Sequence, residues 1–134
     1  MNVLVAKTAG FCFGVNRAVC RAFEEAERGA ETGQLYTLGP LIHNPSIVDA
    51  LRSRGVGMIA SPLEARSGDT VIIRAHGVPA SCCEELRRRG VRIVDATCPY
   101  VAKIHRIVRA ASDAGKTVLI FGHRDHPEVL GIQG

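Results

Sequence analysis

Residues 92–115 read RIVDATCPYVAKIHRIVRAASDAG. Arg92–Asp95, with Ile93 and Val94 at its centre, has the length of a buried strand. Cys98 follows in a loop. Tyr100–Ala114 then reads as a helix, which Gly115 ends. A strand feeding a helix through a short loop is the repeating step of an α/β protein. Working outward, the same step recurs. Asn2–Lys7 is read as a strand, residues 10–14 as a loop holding Cys12, and Val15–Arg28 as a helix stopped by Gly29. In that helix Val15, Ala18, Val19, Ala22, Phe23 and Ala26 fall at three-to-four spacing. Further strands are predicted at 35–38, 56–60, 70–75 and 117–121, and further helices at Ser46–Arg54 and Pro79–Arg89. The expectation is an α/β fold with a mainly parallel sheet and flanking helices. In such sheets, functional residues gather beyond the C-terminal ends of the strands.

The two cysteine steps are copies of each other. At an offset of 86 residues Cys12 matches Cys98, Val15 matches Val101, Ala18 matches Ile104, Ala22 matches Val108 and Gly29 matches Gly115. Each helix is followed by a predicted strand ending in Gly, with a histidine four positions on: Gly39 with His43, and Gly122 with His126. The first copy continues through helix and strand to His76, whereas the second has only residues 128–134 after its histidine. That imbalance leads to the expectation that these residues are the N-terminal part of a longer protein.

The chain of 134 residues is 46% hydrophobic and 22% charged, which is globular composition. Apolar runs are too short to span a membrane, and no targeting segment is visible, so a cytoplasmic location is expected. The net charge of +4 suits an anionic ligand, and four Phe, two Tyr and no Trp make a poor stacking surface for single-stranded nucleic acid. Five cysteines and no CxxC pair argue against a disulfide scaffold, a zinc ribbon and a thioredoxin motif. No P-loop and no dinucleotide-binding glycine pattern is present.

Cys12 and Cys98 each sit where a strand should meet a helix N-terminus, where backbone N–H groups and the helix dipole favour a thiolate. Such a pair suits a nucleophile or the ligation of a soft metal or iron–sulfur cluster, with Gly10 and Gly14 permitting close backbone approach. Cys20, Cys82 and Cys83 are read as packing residues. His43, His76 and His126 should share one rim with the two cysteines. They could bind zinc, or donate hydrogen bonds to phosphate oxygens. Glu128, two residues beyond His126, is a candidate proton donor or relay. Asp95 could hold the Cys98 loop through backbone bonds. His105 and His123 lack the repeated position, and Arg87–Arg89 reads as a solvated helix end. Arg74 could pair with an acid or add to an anion-attracting field.

Five segments, AGFCFGVNRAV around Cys12, LGPLIHNP around His43, RAHGVP around His76, DATCPYV around Cys98 and GHRDHPEVLGIQG around His126 and Glu128, resemble the 4-hydroxy-3-methylbut-2-enyl diphosphate reductase family, in family order and over nearly the whole chain. The resemblance implies three similar α/β domains around a cavity. Residues 1–96 would be the first of these and 97–134 the start of the second. It implies a [4Fe–4S] cluster with Cys12 and Cys98 as two of three cysteine ligands, the third lying beyond Gly134. His43, His76 and His126 would bind the substrate diphosphate, with His43 and Glu128 near the allylic hydroxyl and Glu128 serving proton delivery. The implied reaction is a two-electron, two-proton reductive dehydroxylation giving isopentenyl and dimethylallyl diphosphate, with ferredoxin or flavodoxin as electron donor. Two thiolates alone hold a labile cluster poorly, so these residues by themselves are not expected to turn over. A small anion- or RNA-binding module and a zinc hydrolase using the three histidines are the rival readings.

Overall fold

The computed structural model describes residues 1–134. Its centre is a sheet of four parallel strands, β1 (Leu35–Leu38), β2 (Gly57–Ile59), β3 (Thr70–Ile73) and β4 (Arg92–Asp95), in the order β2-β1-β3-β4. Five helices accompany it: α1 (Phe13–Arg28), α2 (Pro45–Arg52), α3 (Ala80–Arg88), α4 (Pro99–Asp113) and α5 (Pro127–Gln133).

Alternation along β1 and β3 sorts the core into two faces. Leu35, Ile72 and Val94 face Ala18, Ala22 and Leu51 of α1 and α2. Leu38, Val71 and Ile73 face the other way, onto Leu86 of α3 and Ala65. All four β3 side chains are buried, as expected of an inner parallel strand. No residue beyond Ala96 belongs to either buried cluster.

Local chemistry sets the helix boundaries. The Asn44 side chain accepts the Ser46 N–H at 3.0 Å, and Pro45 occupies the first turn of α2. Gly29, at φ +70°, ends α1. At the sheet's opposite end the buried Asp69 carboxylate accepts the Gln34 and Arg66 N–H groups at 2.8 and 2.7 Å. Buried Glu25 of α1 pairs with Arg92 of β4 and with Arg28.

Two expected strands are not formed. Residues 2–7 and 117–121 have no ladder, although both are apolar. A strand exists through hydrogen bonds to a neighbour, and neither segment has one within the chain. Val3, Leu4, Val5, Leu119 and Phe121 are accordingly exposed. The repeat is therefore real at its cysteine-to-helix step and incomplete at its strands. Cys20 is also corrected. It is exposed, one position round α1 from buried Val19, and does not pack into the core. Cys82 and Cys83 do pack against the α3 face.

Candidate anion and thiolate site

The sheet order creates a reversal. From β1 the chain steps out to β2, then crosses back to β3 on the other side. The crevice between the C-terminal ends of β1 and β3 is where α/β proteins bind ligands. The loop after β1 carries His43, and the turn after β3 carries His76. Their ring centroids lie 4.7 Å apart. His126, from the start of α5, completes a triangle at 6.0 Å from His43 and 5.6 Å from His76.

His126 reaches this place by helix packing and not, as expected, from the end of a strand. A Cβ built on Gly131 of α5 would lie 3.5 Å from the His76 carbonyl oxygen and 3.2 Å from the His105 ring. One on Gly134 would fall 2.4 Å from Pro79. Bare glycine backbone thus lets α5 lie against the loop that follows His76. His105, which lacks the repeated position, fills the space between Gly77 and Gly131, with its Nε2 buried and unpartnered.

The hydrogen bonding of His126 bears on whether the triangle suits an anion or a metal. One ring nitrogen from each histidine lies within 4.8 Å of the others, a spacing compatible with a metal ion. His126, however, caps α5: its Nδ1 accepts the Glu128 N–H at 3.2 Å. The neutral ring therefore carries its proton on Nε2, where it is a donor. A metal would have to displace either that proton or the cap. His76 Nδ1 is buried with no partner. Burial, and then the neighbouring His43, His126 and Arg74, push the His76 pKa down to about 4. An arriving oxyanion would accept hydrogen bonds from these rings and oppose that repulsion. A cleft of about 410 Å³ opens beside His43, lined also by Pro40, Ile42 and Asn44. The larger concavity, about 760 Å³ between α4, residues 116–120 and α5, contains His105 but none of the three clustered histidines.

The cysteines converge as well. Cys12 and Cys98 occupy the N-cap positions of α1 and α4, and neither side chain is used as a cap. A Cβ on Gly14 would stand 2.2 Å from Cys98 Sγ. The Cys98 sulfur therefore lies directly on the first turn of the helix that Cys12 begins. What the glycine at 14 admits is this thiol, whereas Gly10 has nothing within 4 Å. Around Cys98 the backbone is pinned: Asp95 Oδ1 accepts the Thr97 N–H at 2.9 Å, and Arg17 Nη1 donates to the Thr97 carbonyl at 3.0 Å. The Asp95 bond is the one the sequence suggested, whereas the Arg17 bond spans 80 residues and leaves no local signal. Cys82 and Cys83 do not join this group, and burial pushes both thiols up, away from the thiolate form.

One residue ties the two sets of groups together. The Ala75 N–H donates to the Leu41 carbonyl at 3.1 Å, and the Ala75 carbonyl accepts the Cys98 N–H at 2.9 Å. The His43 loop, the His76 turn and the Cys98 loop are thus joined by backbone bonds.

Comparison with known proteins adds an independent line. The profile of the LytB protein family matches residues 3–134. The chain is 49% identical to the 4-hydroxy-3-methylbut-2-enyl diphosphate reductase of Trichlorobacter lovleyi, covering 98% of this chain and 46% of that protein. It is 45% identical to the enzyme of the same name from Aquifex aeolicus, covering 100% and 45%. A solved structure of (E)-4-hydroxy-3-methyl-but-2-enyl diphosphate reductase, described as the terminal enzyme of the non-mevalonate pathway, superimposes with a TM-score of 0.82 at 45% identity, covering 98% of this chain and 46% of that one. The Plasmodium falciparum reductase structure gives a TM-score of 0.86 at 26% identity, covering 94% and 39%. The chain spans just under half the length of the curated relatives it matches.

Proposed function

The chain belongs to the LytB protein family, and from that premise we propose that it forms part of a 4-hydroxy-3-methylbut-2-enyl diphosphate reductase, the part that holds the substrate diphosphate and two thiolates of an iron–sulfur cluster. The observation that carries this reading is the imidazole triangle at the sheet's reversal point, with His126 turned into a donor by its own helix cap. Residues 1–96 act as one α/β domain and 97–134 as the beginning of the next.

The donor set fits the cluster. Two free thiols stand at helix N-termini, and the Cys98 sulfur lies against the first turn of the helix that Cys12 begins, where Gly14 leaves room that any side chain would fill. Cys12 and Cys98 would hold the cluster with a further thiolate from outside these 134 residues. When bound, the cluster would relay the two electrons one at a time from an external donor and would supply a Lewis-acidic iron. The chain's own residues do the rest. His43, His76 and His126 donate hydrogen bonds to the diphosphate oxygens and fix its orientation. Glu128, in the first turn of α5 beside the His126 cap, holds the proton delivered to the departing hydroxyl. His43, the most exposed of the three, faces the allylic end of the substrate. An electron donor of the ferredoxin or flavodoxin class, which would reduce the cluster, and a small-molecule allylic diphosphate as substrate complete the reading. No helix is long and apolar enough to cross a membrane.

Grafting residues 1–134 in place of the matching segment of the Trichlorobacter lovleyi reductase tests the proposal. The chimera, reconstituted anaerobically, is expected to bind iron and reduce the substrate. Cys98→Ser should remove cluster absorbance, and His76→Ala should raise KM for the diphosphate. A folded chimera that retains stoichiometric zinc and no iron, or that is indifferent to Cys98→Ser, would refute it.

A further inference from the structure

Arg74 is the one cation of the RAHG turn whose purpose the sequence left open. It lies just past β3 and is half-buried. Its Nε donates to the Gly77 carbonyl at 3.2 Å, across the turn closed by the Gly77 N–H to the Arg74 carbonyl at 3.0 Å. Its Nη1 lies 2.8 Å from the position a Cβ on Gly39 would take. Gly39 opens the loop that ends in His43, and its φ of +70° is one that favours glycine. The guanidinium therefore spans from the His43 loop to the His76 turn.

No carboxylate answers it. The chain's ion pairs join Arg28, Arg52, Arg88, Arg89 and Arg92 to acids, and Arg74 is not among them. Its charged neighbourhood consists of the Cys82 thiol on α3 and the imidazole His76, which is itself faced by His43 and His126. A half-buried cation without a counter-ion is costly. An anion beside the imidazoles offsets that cost.

We propose that Arg74 is a positioning residue for the anion site, locking the His76 turn to the Gly39 loop and standing as the fixed positive charge behind the three imidazoles. The proposal rests on the diphosphate reading above and adds to it the source of permanent charge. His76 is held neutral at physiological pH by its surroundings, so its ring supplies direction and the Arg74 guanidinium supplies charge. For a unit charge roughly 8 Å from a dianion, Coulomb's law at an effective dielectric near 20 sets an upper bound of about a thousandfold on affinity, which solvent screening of an open site reduces to about tenfold or more.

The test uses the 134-residue chain, inorganic diphosphate as the probe, and Arg74→Met and Arg74→Lys. Diphosphate affinity is measured by calorimetry, and the His76 titration by NMR without ligand. Arg74→Met is expected to weaken diphosphate binding at least tenfold and to raise the His76 pKa from about 4. Arg74→Lys keeps the charge and loses the fork that reaches both Gly77 and Gly39, so it should leave the His76 titration near its wild-type position and recover only part of the affinity lost in Arg74→Met. Affinity within threefold of wild type in Arg74→Met overturns the proposal and leaves the diphosphate reading standing. If the wild-type chain binds no diphosphate, the functional reading fails on its own. The His76 titration then decides for Arg74: a rise in Arg74→Met supports it, and an unmoved titration overturns it. If Arg74→Met does not fold, Arg74→Lys decides: weaker diphosphate binding with the His76 titration unmoved supports the proposal, and wild-type affinity or a raised His76 pKa overturns it.

Discussion

Replacing Gly14 by alanine tests the convergence of the two thiols directly. The new Cβ would stand 2.2 Å from Cys98 Sγ and 3.0 Å from Cys98 Cβ. Ordinary contacts between such atoms begin at roughly 3.5 Å, so the sulfur or the helix must move by more than an ångström. Overpacking of this kind costs about 1–3 kcal/mol. Alanine recovers part of this as the better helix former, by up to about 1 kcal/mol in a helix interior and less in a first turn. The backbone itself accepts the change, since Gly14 is not among the glycines at positive φ. A net loss of about 1–2 kcal/mol follows, or about 3–6 °C in the melting temperature of a chain this size. Thermal unfolding under reducing conditions measures it. Cys98→Ala in the same background removes the obstructing sulfur, so a double-mutant cycle should show a coupling of about 1 kcal/mol between positions 84 residues apart. Alkylation of Cys98, followed by peptide mapping, should change rate in Gly14→Ala. If Gly14→Ala is as stable as wild type and strictly additive with Cys98→Ala, the sulfur does not rest on α1 and the shared thiolate site is lost.

Other expectations follow from the same geometry. His76 binds its proton less readily in the folded chain (about 4) than in the unfolded one (6.5), so stability should fall as the pH drops through that window. The fall levels off below it. Allowing for solvent screening of a half-buried ring, it amounts to about 1–2 kcal/mol, and His76→Gln should flatten it in urea titrations taken from pH 7 to 4. Diphosphate should bind with uptake of protons over the same interval, visible as a buffer-dependent enthalpy in calorimetry. Asn44→Ala removes the α2 cap and should cost about 1 kcal/mol in denaturant unfolding, with Asn44→Asp close to neutral. Glu25→Ala leaves Arg92 without its buried partner. Because the Arg92 side chain is 43% exposed, the loss should be about 1–3 kcal/mol, below that of a fully buried pair.

Legibility followed the range of the interaction. Helices α1 and α4 were readable because their apolar spacing, their glycine stops and the cysteines before them all lie within one stretch of chain. Strands β1, β3 and β4 were readable because the chain supplies them with partners. Residues 2–7 and 117–121 have the same composition and no partner, and composition alone cannot distinguish the two cases. The rim shared by His43 and His76 follows from strand order. The arrival of His126 depends instead on glycine-to-loop contact at Gly131, which no local pattern announces. The seat of Cys98 on Gly14 and the bond from Arg17 to Thr97 join residues 84 and 80 apart, so no spacing rule reports them. Arg74 was visible as a charge, but whether an acid waited for it could be learned only in three dimensions.

Ala75 gives the assembly a mechanical property. The two peptide groups that meet at its Cα grip the arm bearing His43 through the Ala75 N–H and the arm bearing Cys98 through the Ala75 carbonyl. Main-chain atoms make both links, so side-chain replacement nearby leaves them intact and neither arm can swing while the other stays still. The imidazole and sulfur ends are therefore gauged against each other by the main chain itself, like two jaws cut from a single block.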